Sequence, residues 1–305
     1  MSAASVSVVV PTRDRPAQLA ACLRALGRLD HPRERLELIV VDDGGSADLG
    51  PVRAAAPPDL PVELIRREPG GPAAARNTGA AAASGELLAF TDDDCLPEPA
   101  WLAALTAAVA AAPGAGCGGR TVNALPSNPF AEASQHIQEL VYSHYNADPG
   151  RARFFASNNL AVPRGGFEEV GGFDAQRFPA ASEDRDFCDR WLASGRTLRY
   201  EPGAVVHHAH ELDLRAFVRQ HVGYGRGAAR YQRARAARGT GRMRDDMSFH
   251  LDRSLWASTL GLRPARRAAS MAALLGIWQL ANAAGYALER RASLKQGRRD
   301  TDVSL

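Results

Sequence analysis

Short apolar runs that end in polar residues recur along the first quarter of the chain. The runs cover residues 6–10, 36–41 and 62–65, and they lead into Pro11-Thr12-Arg13-Asp14, Asp42-Asp43-Gly44 and Arg66-Arg67, respectively. Such runs, bounded by turn-forming residues, are typical of strands buried in a sheet. We therefore predict three strands whose polar ends lie along one rim of the sheet.

Helical periodicity separates the first two predicted strands. Apolar residues recur at helical spacing at Leu19, Cys22, Leu23, Leu26 and Leu29. We predict Asp14 as the cap of this helix, with Pro16 in its first turn. Strands that alternate with helices favour βα units with right-handed crossovers. The predicted fold class is therefore α/β, a doubly wound and mostly parallel sheet flanked by helices.

A fourth apolar run leads directly into three consecutive carboxylates. The run at 86–90 follows Ser84-Gly85 and continues through Thr91 into Asp92, Asp93 and Asp94. Neighbouring carboxylates repel one another, and a divalent cation among them is the simplest compensation. The other interpretation is an acidic, solvated loop after a strand.

A glycine-rich turn precedes the acidic strand. The segment Gly70–Gly79 opens an alanine-rich helix, and its amides together with Arg76 suit a phosphate or another anion. A tight turn with a surface arginine is the other interpretation. The sequence lacks both a Gly-x-Gly-x-x-Gly after the first strand and a Gly-Lys-Ser/Thr after a glycine loop, which disfavours dinucleotide oxidoreductases and P-loop enzymes.

Further alternating elements are predicted beyond the acidic residues. They are a helix from Pro99 through Val109, a strand over 117–125, a helix over 130–145, a strand over 154–162, a helix from Ser182 to a stop at Gly195, and extended pieces at 197–200 and 205–206. The helix that opens at Ser182 has Glu183 and Asp184 in its first turn, where acids are also expected simply because they complement the helix dipole.

Three histidines follow the last extended piece, at 207, 208 and 210. Lone histidines are usually structural or solvated. Imidazole is nevertheless a common metal ligand, so a cluster of histidines at a strand end is a candidate partner for the metal predicted at the acidic residues.

The last third of the chain is basic. Arginines recur at 215, 219, 226, 230, 233, 235, 238, 242 and 244, and a mostly apolar segment, 268–288, is flanked by Arg266-Arg267 and Arg290-Arg291. We favour a helix lying in the interface of an anionic membrane. The alternatives are a membrane span, a helix packed on the preceding domain, and contact with a second subunit. Nucleic acid is disfavoured because no recognition motif accompanies the arginines.

Composition adds limits to these predictions. With 305 residues, 45% of them hydrophobic, the chain can form one large or two modest domains. Its formal net charge of +3 does not by itself indicate nucleic acid. Cys22, Cys95, Cys117 and Cys188 have no paired metal spacing, which predicts free thiols in a reducing compartment. Residues 1–5 show no signal-peptide pattern, so we expect the cytoplasm or the inner face of its membrane.

Seven short motifs occur in a characteristic order: Val-Val-Val-Pro-Thr at 8–12, Val-Val-Asp-Asp-Gly at 40–44, Ala-Arg-Asn-Thr-Gly at 75–79, Phe-Thr-Asp-Asp-Asp at 90–94, Asn-Leu-Ala at 159–161, Gly-Gly-Phe-Asp at 171–174 and Glu-Asp at 183–184. With these motifs the chain resembles the family-two inverting glycosyltransferases of GT-A fold. The resemblance extends from Val6 to about His210. It implies a catalytic domain over 1–211, with a nucleotide-sugar half over about 1–120 and an acceptor half over about 121–211, followed by a helical tail over 212–305.

The resemblance also implies roles on the donor side. Pro11, Thr12, Arg13 and Asp43 would hold the nucleoside of a nucleotide-sugar, and Arg76 would lie near its base or phosphates. One departure from the family pattern is Arg13-Asp14, where many relatives have an aromatic residue and then Asn.

Metal, base and acceptor roles follow from the same resemblance. Asp92, Asp93 and Asp94 would form the Asp-x-Asp motif, with Asp92 and Asp93 at the donor and Asp94 as a ligand of Mg²⁺ or Mn²⁺. A histidine after the late strand would be a further ligand, and His208 fits best, next to His207. Asp184 is the candidate base and Glu183 an orienting residue, and Asn159 and Trp191 are predicted to contact the acceptor.

These assignments predict a metal-dependent inverting transferase that moves a hexosyl or deoxyhexosyl group to a hydroxyl acceptor in cell-envelope glycan or glycolipid synthesis. The alternatives are a nucleotidyltransferase of similar α/β fold and a non-catalytic protein that binds nucleotide-sugars or scaffolds at a membrane. Homo-oligomers are also compatible with the tail.

Overall fold

The polar ends of the first strands do lie along one rim of a single mixed sheet. The computed structural model describes residues 4–241, 249, 257, 259–262 and 264–302. The predicted arginines 242 and 244 lie outside these residues. The strands of the described part are β1 Val6–Thr12, β2 Leu36–Asp43, β3 Val62–Arg67, β4 Leu87–Phe90, β5 Cys95–Pro97, β6 Gly116–Asn123, β7 Leu160–Pro163 and β8 Leu198–His208.

Helices alternate with these strands. They are α1 Pro16–Leu26, α2 Gly50–Arg53, α3 Pro72–Ala82, α4 Trp101–Ala110, α5 Pro129–Tyr145, α6 Arg164–Val170, α7 Glu183–Ala193, α8 Leu214–Arg238 and α9 Ala265–Asp302. Short 3₁₀ turns occur at Arg33–Arg35, Pro149–Arg151 and Ser157–Asn159.

The sheet order is β3-β2-β1-β4-β7-β6-β8-β5. Strands β3, β2, β1 and β4 are parallel to one another, and β6 is parallel to β8. The β4–β7, β6–β7 and β5–β8 pairs are antiparallel. Strands β1, β2 and β4 are buried almost throughout, as expected for parallel strands covered on both faces. The predicted α/β class with a mostly parallel sheet is confirmed.

Two predictions of local structure are wrong. Asp14 does not cap α1: Arg15 occupies the N-cap position, and the Asp14 carboxylate instead accepts hydrogen bonds from the Ser46 and Ala47 amides at 2.6 and 3.1 Å. The predicted strand over 154–162 begins only at Leu160, because Ser157–Asn159 forms a 3₁₀ turn. The two extended pieces near 200 form one strand, β8, in which the register shifts against β6 at Gly119/Arg120.

The chain divides into two compact units. The sheet unit comprises Met1–Leu125, Tyr142–Pro179 and Glu183–His210, and the helical unit comprises Pro126–Val141, Ala180–Ser182 and Glu211–Leu305. The division after His210 lies one residue from the boundary predicted at 211, but most of α5, assigned to the acceptor half, groups with the helical unit.

An aromatic cluster in the sheet unit fixes α7 against the end of β4. Phe90 is the last residue of β4, and its ring centroid lies 5.3 Å from that of Phe173 and 5.4 Å from that of Phe167. Phe173 in turn lies 5.0 Å from Phe187 of α7. Because these rings are close-packed and buried, the start of α7 is held at a defined distance from the residues that follow β4.

Candidate active site

The strand pairing of β5 brings the acidic residues and the late histidines together. Asp92–Asp94 follow β4 and lead directly into β5, whose first residue, Cys95, pairs with His208 at the end of β8. The amide of Ala209 donates a 2.8 Å hydrogen bond to the carbonyl oxygen of Asp94. Segments more than a hundred residues apart therefore meet at this rim of the sheet.

Asp94 and His208 form a pair whose geometry fits a divalent ion. His208 Nε2 lies 3.2 Å from Asp94 Oδ1. Ligands at adjacent corners of an octahedron with bonds of about 2.1 Å are about 3.0 Å apart, so the two atoms could bind one Mg²⁺ or Mn²⁺ ion with little movement. Cys95 Sγ also lies within 4.8 Å of both atoms. Burial raises the pKa of the Cys95 thiol far above its usual value, and a hard ion such as Mg²⁺ or Mn²⁺ prefers carboxylate and other oxygen ligands to sulfur.

His207 is turned away from Asp94. Successive side chains of a strand point to opposite faces, and the ring of His207 contacts Glu98, with 2.8 Å between Nε2 and Oε1. The ring of His210 stacks on that of His208 at 4.8 Å between centroids. Of the three predicted histidines, His208 is thus the one that directly faces the acidic residues.

Arg15 is a site residue that the sequence analysis missed. Its guanidinium bridges two carboxylates, with Nη1 2.7 Å from Asp93 Oδ1 and Nη2 3.0 Å from Asp94 Oδ2. Thr12 Oγ1 donates a 2.7 Å hydrogen bond to the other oxygen of Asp93. An arginine after the Pro-Thr pair at the end of the first strand was the available signal.

These contacts change the argument for a metal. Arginine side chains already compensate the charges of the acidic triplet, so repulsion among Asp92, Asp93 and Asp94 does not by itself require a cation. The case for an ion rests instead on the Asp94–His208 geometry. Thr12, predicted to hold the nucleoside, uses its hydroxyl to orient Asp93.

The pKa values reflect these contacts. Burial alone would raise the pKa of Asp94, but the hydrogen bond and charge of His208 and the charge of Arg15 outweigh it and hold the pKa well below its usual value. Burial would lower the pKa of His208, and Asp94 reverses that effect and raises it. Burial raises the pKa of Asp93 to about 6 despite Arg15 and Thr12. Of these two carboxyl groups, Asp94 is therefore the one that is held more firmly in its ionised form.

Arg76 links the acidic triplet to the start of α7. Its Nη2 lies 2.5 Å from Asp92 Oδ1, and its Nη1 lies 3.1 Å from Glu183 Oε1. The side chain is buried, and its Nε is without a hydrogen-bond partner among the described residues. The contacts made by Arg76 in this structure are thus to carboxylates, and its predicted contact with base or phosphates stays a prediction.

Glu183 and Asp184 lie at the N-terminus of α7. Burial is the largest influence on both, and it raises the pKa of each carboxyl group. The Asp184 charge raises the pKa of Glu183 further, whereas Arg76 lowers it. Asp184 Oδ1 accepts a 2.8 Å hydrogen bond from the Arg185 amide, and the Ser157 amide also stabilises the carboxylate. A half-buried carboxylate with a raised pKa has the properties of a general base.

Two sequence motifs position Arg76. The side-chain amide of the next residue, Asn77, donates to the carbonyl of Phe173 at 2.7 Å and accepts from its amide at 2.9 Å. A Cβ on Gly79 would lie 2.4 Å from Val9 Cγ1, so this glycine allows α3 to pack closely on β1. The motifs at 75–79 and 171–174 therefore act together to orient α3 and the guanidinium.

The glycine-rich turn binds a carboxylate of the protein itself. The amides of Gly70 and Gly71 donate to the two oxygens of Asp43 at 2.9 and 2.7 Å, and Arg67 pairs with the same side chain. In this structure, then, the anion on these amides is Asp43. The predicted nucleoside contact of buried Asp43 stays a prediction, as do those of half-exposed Pro11 and exposed Arg13.

The acceptor contacts predicted for Asn159 and Trp191 stay predictions, and in this structure both side chains are fully buried and bonded within the protein. Asn159 accepts a 2.8 Å hydrogen bond from the indole of Trp101 and donates to the carbonyls of Arg120 and Ala204 at 3.1 and 3.0 Å. It thereby satisfies backbone groups where the register between β6 and β8 shifts. The indole of Trp191 donates to the carbonyl of Thr197 at 2.9 Å.

The neighbouring Asn158 is the more suitable amide for a substrate contact. It is buried, and its Oδ1 has no hydrogen-bond partner among the described residues. It lies in the 3₁₀ turn whose Ser157 amide contacts Asp184. A buried amide oxygen that lacks a partner is unfavourable unless a ligand supplies the donor.

Most of the chain is similar to curated proteins. The "Pre-mycofactocin glycosyltransferase" of Mycobacterium tuberculosis is 33% identical over 232 residues, which is 73% of this chain and 47% of that protein. The chain thus spans about half the length of this curated relative.

Solved structures show the same fold. The mannosyltransferase PcManGT from Pyrobaculum calidifontis, in complex with GDP-Man and Mn²⁺, matches with a TM-score of 0.64 and 23% identity, covering 96% of this chain and 81% of that chain. TarS 1–349 of S. aureus, in complex with UDP-GlcNAc, matches with a TM-score of 0.53 and 16% identity over 96% of this chain and 92% of that chain. These likenesses establish a GT-A fold.

The family model for glycosyl transferase family 2 matches residues 7–181. That range contains the acidic triplet, Arg15 and Arg76, and it ends just before Glu183. Because it covers more than half of the chain, the chain belongs to glycosyl transferase family 2.

Proposed function

We propose that this protein is a metal-dependent inverting glycosyltransferase that moves a hexosyl or deoxyhexosyl group from a nucleotide-sugar to a hydroxyl acceptor. The observation that supports this best is the convergence, at one rim of the sheet, of the Asp94–His208 pair with the Glu183–Asp184 pair. Arg76 joins the two parts by contacting Asp92 on one side and Glu183 on the other.

On the donor side, Asp94 and His208 would hold a Mg²⁺ or Mn²⁺ ion. When bound, such an ion stabilises the charge that develops on a leaving diphosphate. Arg15 keeps Asp94 oriented and adds positive charge next to it. Structural neighbours were crystallised with Mn²⁺ together with GDP-Man, or with UDP and GalNAc, which supports the same donor class and metal here.

On the acceptor side, Asp184 would take the proton of the attacking hydroxyl. Burial favours this role because it raises the pKa of the carboxyl group and so strengthens the base. Glu183, held by Arg76, would orient neighbouring groups, and Asn158 Oδ1 would accept a hydrogen bond from a substrate hydroxyl. A single base opposite the leaving group implies single displacement with inversion.

The acceptor and the cellular role belong to the same proposal. A glycan or lipid-linked hydroxyl compound of the cell envelope suits a chain whose last third is basic and partly apolar. We expect the protein in the cytoplasm, peripheral on the inner face of the membrane.

Replacing the base tests the proposal. Asp184→Asn keeps the shape of the side chain but removes its basicity, so transfer should fall at least about a hundredfold, the usual size of a general-base contribution. Binding of a nucleotide-sugar with Mn²⁺ should persist. The measurements are turnover with the preferred donor and donor affinity by titration calorimetry, with the anomeric configuration of the wild-type product determined by NMR.

Asp189→Asn, in the same helix, is the matched control and should keep normal turnover. Unchanged turnover in Asp184→Asn would remove Asp184 from the role of base. A product with retained configuration would overturn the single-displacement mechanism.

A further inference from the structure

Helix α9 has one face packed within the helical unit and one face exposed. Met271, Leu275 and Trp278 are buried together with Phe217 of α8 and with Ile137 of α5. Later in α9, a Cβ on Gly285 would lie 2.0 Å from the carbonyl oxygen of Val222, so α8 and α9 are in close backbone contact there. One side of α9 is thus covered by α5 and α8.

The opposite side is an uncharged stripe. At about 100° per residue the exposed residues fall on one face, and they are Ala269, Ser270, Ala273, Leu280, Ala283, Ala284, Ala287 and Leu288. Leu280 is 74% exposed and Leu288 46% exposed. Residues 268–288 contain no charged side chain, and at 1.5 Å per residue they extend over about 30 Å. An apolar surface of this length on a soluble protein usually marks an interaction site.

Basic residues border the stripe at both ends. Arg266 precedes it, and Arg290, Arg291 and Lys295 follow it, all exposed. Glu289 is the single acid between residues 265 and 295. Its carboxylate accepts hydrogen bonds from Arg230 at 2.8 and 3.0 Å. The charge presented beside the stripe is therefore positive.

The position of α8 argues against a membrane-spanning α9. By length and composition, α9 qualifies as a candidate span over Ala265–Lys295, with a mean hydropathy of 1.2 in its most apolar window. However, Gly225 of α8 contacts Asn282, and Arg230 pairs with Glu289. A span would draw Arg226 and Arg230 into the hydrocarbon together with α9, which is costly.

The flanking charges also argue against a second copy on the same stripe. In a parallel two-fold pairing, Arg266 would face its own equivalent. In an antiparallel pairing it would face Arg290 and Arg291. Either arrangement brings like charges together, whereas phosphate groups at both ends of the stripe would be favourable.

We propose that the exposed stripe of α9 lies flat in the interface of a bilayer that contains anionic phospholipid, with Leu280 and Leu288 inserted among the acyl chains and the flanking arginines on headgroup phosphates. Amphipathic helices bind membranes in this way through apolar burial together with electrostatic attraction. This surface would provide the membrane contact that the proposed function includes, but it is separate from the transfer chemistry and does not depend on it.

Vesicle flotation with the full chain tests the proposal. Vesicles of phosphatidylcholine with about one third phosphatidylglycerol should bind the protein, and pure phosphatidylcholine vesicles should bind it at least about tenfold more weakly. The double variant Leu280→Gln/Leu288→Gln should lower partitioning into anionic vesicles at least about tenfold, because it removes the inserted apolar groups. Arg290→Gln/Arg291→Gln should lower it by about fivefold per arginine.

Leu214→Gln is the matched control, since Leu214 is 49% exposed on α8, outside the stripe. It should bind vesicles like the wild type, and circular dichroism should show equal helix content in all variants. Equal binding by the Leu280→Gln/Leu288→Gln variant would overturn the proposal. So would light scattering showing a dimer that the same variant dissociates, because the stripe would then meet a second copy. Transfer to a soluble acceptor, measured in parallel, reports on the proposed function independently.

Discussion

At the scale of single residues, Arg15 determines how the acidic triplet is organised. Its guanidinium contacts Asp93 and Asp94 together, while His208 contacts the other oxygen of Asp94. Each oxygen of Asp94 thus has its own positively charged or hydrogen-bonding neighbour. One of these neighbours can become a metal ligand, since imidazole binds metals and guanidinium does not. Arg15 is therefore a second cation beside any bound ion.

Removing that cation should strengthen metal binding. The Arg15→Gln variant lacks the positive charge near Asp94 Oδ2, so a dication bound to the same carboxylate is repelled less. In the absence of the nucleotide-sugar, the dissociation constant for Mn²⁺ should therefore fall on the order of three- to tenfold. Titration calorimetry with Mn²⁺ alone measures this. Arg24→Gln, on the exposed side of α1, is the control. Weaker Mn²⁺ binding by Arg15→Gln would indicate that Arg15 chiefly holds the carboxylates in position.

At the scale of elements, the contact between α8 and α9 depends on two glycines. A Cβ on Gly225 would lie 2.1 Å from the carbonyl oxygen of Asn282, and one on Gly285 would lie 2.0 Å from that of Val222. Arg230 of α8 and Glu289 of α9 form an ion pair that lies C-terminal to these glycines in both helices. Backbone proximity and the pairing of Glu289 with Arg230 and Arg233 therefore hold α9 along α8 in the helical unit.

A methyl group at the contact should force the two helices apart. Gly225→Ala should lower the free energy of unfolding by about 1–3 kcal/mol, as overpacking against backbone does. Gly223→Ala is the matched variant in the same helix, with nothing within 4 Å of the added Cβ. It should raise the free energy by up to about 1 kcal/mol through helix propensity. Urea denaturation followed by circular dichroism measures both, and equal effects would show that the helices are not in close contact at Gly225.

The ion pair should make stability depend on pH. The hydrogen bond from Arg230 lowers the pKa of Glu289 below its usual value of 4.5, so the pair stabilises the fold fully above pH 4.5 and is lost as the pH falls through the lower folded-state pKa. Glu289→Gln should therefore be less stable than the wild type by about 1 kcal/mol at pH 7, and the difference should shrink as the solution is acidified below pH 4.5. Glu63→Gln, exposed on β3, serves as the control. A difference that is constant from pH 7 to pH 3 would contradict the assignment.

At the scale of the whole molecule, the strand order assembles the site from distant parts of the chain. Strands β1, β2 and β4 end at one rim, β5 returns antiparallel along β8, and the aromatic cluster holds α7 beside them. A ligand bound at this rim would contact several elements of the sheet unit at the same time. A donor with its metal should consequently stabilise the folded protein as a whole, by mass action.

A donor screen by thermal unfolding measures this stabilisation. With UDP-, GDP- and dTDP-sugars at about a hundredfold excess over the dissociation constant, the matching donor should add about 2.7 kcal/mol to the free energy of unfolding. The shift should require Mn²⁺ and vanish on chelation, and Asp94→Asn should abolish the metal-dependent part. Cys95→Ala should retain it, since Mn²⁺ prefers carboxylate ligands to the sulfur of a thiol. No shift with any donor would favour a scaffold protein over a transferase.

The sequence by itself determined the α/β class, most strands and helices, and many of the candidate site residues, although Arg15 and Asn158 were missed. Periodicity and turn residues act locally, so buried strands such as β1 and β2 and the helix at Pro16 can be read from short segments. Ordered motifs added the family, and with it the roles that are proposed for Asp94, Arg76, Asp184 and His208.

Only the tertiary structure decided which neighbour of each pair faces the site. Asn158 and Asn159 are adjacent and chemically identical, yet Asn159 satisfies backbone carbonyls at a β-bulge while Asn158 keeps an oxygen without a protein partner. His207 and His208 lie on opposite faces because β8 pairs with β5 in one register. Such choices depend on long-range pairing and burial, and those are properties of the assembled sheet that no short segment specifies.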